Sequence, residues 1–300
     1  MSDQESNNCH SKSSTENGFQ ETFPHHTSKT CSSSSSCTTS LHLTSTMKPA
    51  LAEELLRIEL ELCAQLSALK FSHPVEFVYS PINYAFNLHA QFVRKFANTT
   101  KKVIFLGMNP GPWGMSQTGV PFGEVSVVRD WLAISGPVSK PIKEHPSRLV
   151  SGLECHRSEV SGKRFWGLFQ ELCGSNPHVF FQHCFIYNQC PIALMSVSGK
   201  NITPAELKAS ESKTLLAICD RALSKVLQLL QVETVVAIGK FAEKRANIAV
   251  RDANLKSIQV VSIPHPSPRN ASCSSNWKEI VLKVLENLNL IGLFAAPIKN

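Results

Sequence analysis

From Pro49 onward, apolar and polar positions fall into two alternating patterns. Leu51, Leu55, Ile58, Leu62, Leu66 and Leu69 recur at steps of three and four, which predicts an amphipathic helix with one buried stripe. A second helix is predicted from about Pro81, carrying Tyr84, Phe86, Phe92, Val93 and Phe96. Four short apolar runs then stand out, at 103–106, at 179–181 continuing through 185–186, at 235–238 and at 260–263. Unbroken apolar runs of this length suit strands covered on both faces. Helical stretches separate them. The segment 161–173 stops at Gly174, Thr203-Pro-Ala-Glu206 has the spacing of a capping box with Pro at the first helical position, and periodic stretches follow at 211–230, 241–250 and 274–288. Strand and helix alternating in this way predict an α/β layer fold on a four-stranded, mainly parallel sheet, in one folded domain.

Residues 1–48 break the pattern. They are dominated by Ser and Thr, including the run Ser32–Ser36, with few aliphatic side chains, too little apolar surface to offset chain entropy. The expected organisation is a disordered tail, 1–48, followed by a folded domain, 49–300. Composition adds exclusions: 14 Gly and 17 Pro in 300 residues rule out a collagen-like chain. No apolar run approaches the ~20 residues of a membrane span, and no secretory signal is visible, so no membrane partner is expected. The ten cysteines are therefore read as mostly reduced thiols. The net charge of +7 divides unevenly: residues 49–300 hold 27 basic and 19 acidic groups, about +8, which hints at an anionic partner.

Ligands of open parallel sheets bind just beyond the carboxyl ends of the strands. Three of the four predicted strands end in unusual residues. The first leads into Gly107-Met-Asn109-Pro-Gly111-Pro-Trp-Gly-Met115 and then Pro121-Phe122-Gly123-Glu124; the second into Tyr187-Asn188-Gln-Cys-Pro191; the fourth into Pro264-His265-Pro266-Ser267-Pro268-Arg269-Asn270. The third ends blandly at Gly239-Lys240. Each loop alone reads equally well as a turn, but in this topology all three converge on one crevice. Known motifs fail in turn. The first loop has neither the lysine and spacing of a phosphate-binding loop nor GxGxxG, and Gly114-Met-Ser116-Gln-Thr-Gly119 is one residue off the GxSxG elbow. No HExxH and no ligand-like Cys/His spacing occurs, so Cys173, Cys184, Cys190 and Cys219 read as core thiols, and neither a metal nor a cofactor is expected.

The segments 107–115 and 119–124 together with His265-Pro-Ser-Pro-Arg-Asn270 resemble the uracil-DNA glycosylase superfamily, and within it the single-strand-selective monofunctional branch. The blocks 152–155, 158–162, 164–167 and 201–207 extend the likeness to roughly residues 50–290. The resemblance implies a three-layer αβα sandwich and hydrolysis of an N-glycosidic bond, releasing uracil or 5-position-oxidised uracils from single- and double-stranded DNA. It implies that Asn109 positions the attacking water and that His265 donates to uracil O2. It also implies that Phe122 stacks on the extruded base, Asn188 reads its N3/O4 edge, and Met108, Gly111 and Met115 shape the pocket. Pro266, Ser267, Pro268, Arg269 and Asn270 would form a wedge into the base stack, and Ser198, Gly199, Lys200 and Asn201 a second DNA-contacting segment. Lys200, Lys240, Lys244 and Arg245 could bind phosphates or serve as solvated surface charges. No lysine stands in the strand-end loops near Asn109 or His265, which argues against Schiff-base chemistry. A monomer is expected, in the nucleus on grounds of function alone. Two other classes stay open: a catalytically inactive DNA-binding module of this fold, and a Ser/His hydrolase using Ser116 and His265.

Overall fold

The structure, a computed structural model, describes residues 50–268 and 276–295. All of them belong to one compact unit, Lys48–Asn300; the expected tail, 1–48, lies outside the described residues, as do Arg269 and Asn270. In chain order the elements are α1 (Leu51–Ser67), β1 (Phe77–Tyr79), α2 (Pro81–Tyr84), α3 (Phe86–Phe96), β2 (Val103–Gly107), α4 (Met115–Thr118), α5 (Val160–Leu172), α6 (Pro177–His183), β3 (Cys184–Asn188), β4 (Ala193–Met195), β5 (Asn201–Ile202), α7 (Ala209–Leu229), β6 (Thr234–Ile238), α8 (Lys240–Asp252), β7 (Gln259–Ile263) and α9 (Trp277–Asn287).

The expected parallel sheet is present, in the order β3-β2-β6-β7. Register pairs Phe105 with Ile186 and Val236, and Leu106 with Tyr187 and Ala237, so successive side chains face opposite layers. Phe105 lies against Phe165 and Phe169 of α5 and Phe180 of α6, with ring centroids 5.4, 5.0 and 5.6 Å away. Tyr187 points to the other side, among Glu59 and Cys63 of α1 and Cys219 of α7. With both faces covered, β2, β3 and β6 are buried along their whole length, which is why each reads as an unbroken apolar run.

Three expectations are corrected. Residues 179–181 are helical, not strand: Pro177 opens α6, and the Asn176 side chain accepts the His178 N–H at 3.0 Å as its cap. A run of three buried apolar residues carries no periodicity that separates the two states. The predicted helix from Pro81 is two helices, broken at Ala85 (φ −104°, ψ 26°), where the Gly119 turn packs against the Ala85 carbonyl. A second, antiparallel sheet, β1-β4-β5, was not anticipated; its strands are two or three residues long, too short to show alternation.

Candidate active site

The carboxyl ends of β2, β3 and β7 open onto a cavity of about 160 Å3 lined by Met108, Asn109, Gly111, Met115, Phe122, Asn188 and His265, together with Pro110, Glu159, Ser161 and Asn201. All seven residues expected to do chemistry or shape the pocket thus meet in one place. The volume has room for one flat ring rather than a whole nucleotide, well below the ~300–1,000 Å3 of usual small-molecule sites.

The floor is Gly107. A Cβ there would come within 2.3 Å of Asn188 Oδ1 and 2.6 Å of the Phe122 ring, so only glycine lets both side chains lie over the end of β2. Phe122 adopts φ 54°, a conformation that β-carbon sterics disfavour. Three contacts hold it there. Its carbonyl accepts Trp166 Nε1–H at 3.1 Å and the Glu124 N–H at 2.8 Å, and Gly162 of α5 lies so close that a Cβ would meet that carbonyl at 2.2 Å. The turn preceding Phe122 is fixed by His89, whose ring bonds the Gly119 carbonyl at 2.8 Å and the buried Glu59 carboxylate at 2.7 Å. Burial alone would pull this histidine's pKa down, but the Glu59 carboxylate and the Gly119 carbonyl raise it overall.

His265 reaches the cavity across β6, because β7 is two strands from β2. The strand between them ends at Gly239, whose φ of 91° favours glycine, and a Cβ there would sit in ordinary contact with that of His265, 3.6 Å away. The third strand thus ends in a turn that passes directly under the histidine. His265 Nδ1 accepts the Ser267 N–H at 3.1 Å, so in the neutral ring the proton resides on Nε2. Burial lowers the His265 pKa below its ordinary 6.5, which keeps that ring neutral. The site therefore holds a neutral imidazole with a donor on Nε2.

Asn188 is 4% exposed. Its Nδ2 donates to Met115 Sδ at 3.2 Å, while Oδ1 is buried with no partner among the described residues. A buried acceptor without a donor costs about 1–3 kcal/mol, so its retention points to a ligand that supplies one. Asn109 Nδ2 donates to Asn201 Oδ1 at 3.4 Å. Asn201, expected in a DNA-contacting segment, also lines the cavity from the β4–β5 hairpin, with Ser198, Gly199 and Lys200 on the turn.

Against the description "Uracil DNA glycosylase superfamily" the sequence matches over residues 94–289. The chain belongs to that superfamily. It is 51% identical over 244 residues to the mouse single-strand selective monofunctional uracil DNA glycosylase, covering 81% of this chain and 87% of the relative. It is 50% identical over 247 residues to the Bos taurus protein of the same name, covering 82% and 90%. The solved structure of SMUG2 from Pedobacter heparinus is similar in fold, with a TM-score of 0.57 at 15% identity, covering 81% of this chain and 99% of that one.

Within this glycosylase fold, several expectations change. Arg245 does not face phosphate: it points inward from α8 and pairs with Asp220 of α7, with only 12% of its side chain exposed. Lys240 is 85% exposed and pairs with Glu243, as the solvated reading expects. Lys200 pairs with Glu206, whose carboxyl falls to about 2 because that ammonium and Thr203 hydrogen-bond it. Ser116 is buried on α4 and does not line the cavity with His265, so the hydrolase reading loses its geometry. Pro266 and Ser267 lead out of the site, the Pro266 carbonyl accepting from Arg164 at 3.1 Å. Among the described residues, no group of His, Cys, Asp or Glu is placed to hold a metal, and no helix is long and apolar enough to cross a membrane.

Glu159 was missed as a site residue, although its segment 158–162 is part of the likeness. Its carboxylate lies against Gly111 and its Cγ against Gly114, where added Cβ atoms would come within 2.4 and 2.8 Å, and the carboxylate accepts the backbone N–H groups of Trp113 and Ser161. Burial and the neighbouring Glu124 raise its pKa, against the pull of those two donors. The signal was the pair of glycines flanking Trp113, which leave room for a side chain from elsewhere in the chain.

Proposed function

We propose that the chain is a monofunctional DNA glycosylase that extrudes a nucleotide and hydrolyses its N-glycosidic bond, releasing uracil and 5-position-oxidised uracils such as 5-hydroxymethyluracil. The observation that carries this reading is the buried Oδ1 of Asn188, without a hydrogen-bond partner among the described residues, beside its own Nδ2. Uracil offers that amide an N3–H donor and an O4 acceptor; cytosine offers the reverse pattern and leaves a buried edge mismatched. His265 Nε2–H donates to O2 as negative charge builds on the departing base, the kind of fixed donor typically worth ~2.7–4 kcal/mol in the transition state. Asn109 orients water toward a sugar carbon that is already cationic, so placement suffices and no strong base is needed. Phe122 supports the ring by stacking, and Met115 and the bare backbone at Gly111 set the space around position 5. Among the described residues no lysine lines the cavity, which fits hydrolysis rather than Schiff-base chemistry.

The substrate class is single- and double-stranded DNA, with extrusion costing less where the base is unpaired. The abasic product belongs to base excision repair, the chain acts as a monomer, and its place of action is the nucleus. The test is base release from oligonucleotides carrying uracil, 5-hydroxymethyluracil or thymine, single- and double-stranded, followed by alkali to reveal abasic sites. Release of the first two with strand breaks only after alkali is expected. Binding without release by the folded protein would restore the inactive DNA-binding module.

A further inference from the structure

The loop forming the near wall of the cavity carries an aromatic side chain that the chemistry above does not use. Trp113 lies two residues beyond Gly111 and is partly exposed. Two guanidiniums lie over its indole, Arg148 at 5.1 Å and Arg157 at 4.7 Å from the ring centroid. Arg148 donates to the backbone carbonyls of Ser147 and Gly199, and neither cation meets a carboxylate among the described residues. Two like charges gathered on one ring, neither of them in an ion pair among the described residues, favour an anion at that spot.

All three side chains are held by the segments that build the cavity. The Trp113 N–H donates to Glu159. Arg157 immediately precedes Ser158 and Glu159, whose hydroxyl and backbone N–H both donate to the Glu124 carboxylate. Arg148 Nε reaches the Gly199 carbonyl at 3.2 Å. Its turn is set by the buried Tyr79 hydroxyl, which accepts the His145 N–H at 2.7 Å and donates to the Arg148 carbonyl at 3.0 Å. His145 Nδ1 accepts the Ser147 N–H at 3.0 Å, so Nε2–H donates to the Val197 carbonyl at 2.8 Å. Trp113 is thus met by Arg157 from one side and by Arg148, itself bonded to the Gly199 carbonyl, from another.

A partly exposed indole with two unneutralised guanidiniums has the chemistry of a single-strand nucleic-acid site: a flat surface on which any base can stack, and cations for the phosphates beside it. We propose that Trp113, Arg148 and Arg157 form a subsite for the nucleotide next to the extruded one, the indole stacking on its base and the guanidiniums binding its phosphates. The inference rests on the reading of the cavity as a base pocket. In a duplex the flanking base is already stacked within the helix, and only its phosphates reach the guanidiniums. The subsite therefore favours single strands, through stacking.

The experiment is equilibrium binding of a uracil-free oligothymidylate and of a uracil-free duplex, followed by fluorescence anisotropy across a salt series. Trp113→Ala should weaken single-strand binding about tenfold with the salt slope unchanged, and duplex binding by less than about threefold. Arg148→Ala with Arg157→Ala should weaken both and flatten the single-strand salt slope by roughly 0.7 per guanidinium removed. Because Arg148 also braces the Gly199 turn, Arg157→Gln is the second variant, with an expected flattening of roughly 0.7, and Arg157→Lys should restore the slope. A folded double variant with wild-type affinity and slope overturns the proposal. So does a Trp113→Ala chain that loses single-strand and duplex affinity equally. These readouts need no base release: a chain that removes no uracil yet shows these shifts would refute the glycosylase reading and keep the subsite.

Discussion

Two cavities of this molecule invite comparison. The larger, about 510 Å3, lies between α7 and α8 and is lined by Leu216, Ala217 and Ile248 with Lys213, Arg221 and the Asp220–Arg245 pair. The smaller, about 160 Å3, lies at the strand ends. In the groove, the buried charges satisfy each other: Arg245 reaches Asp220, and Asp220 also accepts from Gln189 at 2.9 Å. In the strand-end cavity an acceptor stays unpaired, a histidine is held neutral in one tautomer, and a phenylalanine is kept at positive φ. Size does not mark the working site. What sets the strand-end cavity apart is that all three features meet on side chains lining one cavity; single instances, such as the positive φ of Ala133 or the unpartnered Gln189 Oε1, occur elsewhere among the described residues.

The comparison breaks if substitutions in the strand-end cavity affect only stability, or if those in the groove affect the chemistry. The largest effect is expected from Asn109→Ala and His265→Ala, each slowing single-turnover base release by roughly 100- to 1,000-fold while DNA affinity changes by less than about threefold. Equal losses of rate and affinity in Asn109→Ala would contradict its water-placing role. Asp220→Ala, by contrast, strands the Arg245 charge and should cost about 3–5 kcal/mol in denaturant unfolding. Its folded fraction should still release base within about tenfold of wild type, because the backbone N–H of Gln189 remains bonded to the Gly107 carbonyl at 3.0 Å. Asn188→Ala should lower kcat/KM on uracil about ten- to a hundredfold without creating activity on cytosine.

A pH profile sharpens the picture further. Burial holds the His265 pKa under 6.5, so the acid limb of the rate profile should fall below pH 6.5 and disappear in His265→Asn. The same shift lowers stability as pH drops below 6.5, since the unfolded chain takes up that proton before the folded one does. The smallest effect is Arg221→Ala, in the exposed wall of the groove, which should leave both rate and unfolding midpoint within error.

Much of this was legible along the chain. Three of the four sheet strands and the helices α1, α5, α7 and α8 follow from apolar runs and periodicity, because burial on one or two faces imposes those patterns residue by residue. Asn109, Asn188 and His265 were legible as a set: each alone could be a turn residue, but three strand-end loops of a parallel sheet converge on one crevice. The +8 balance of residues 49–300 named no partner by itself; its contribution is local, at cations such as Arg148 and Arg157 beside the site.

What pattern does not encode is distance between segments far apart in sequence. Only the tertiary structure turned Arg245 inward to Asp220, brought Asn201 onto Asn109, inserted Glu159 beside Gly111 and Gly114, and gathered two guanidiniums on Trp113. The tautomer of His265 was decided the same way, by the Ser267 N–H on its Nδ1. Local sequence sets which residues are buried and which are polar at strand ends. Packing decides which of those polar groups find partners within the protein, and which are left for a substrate.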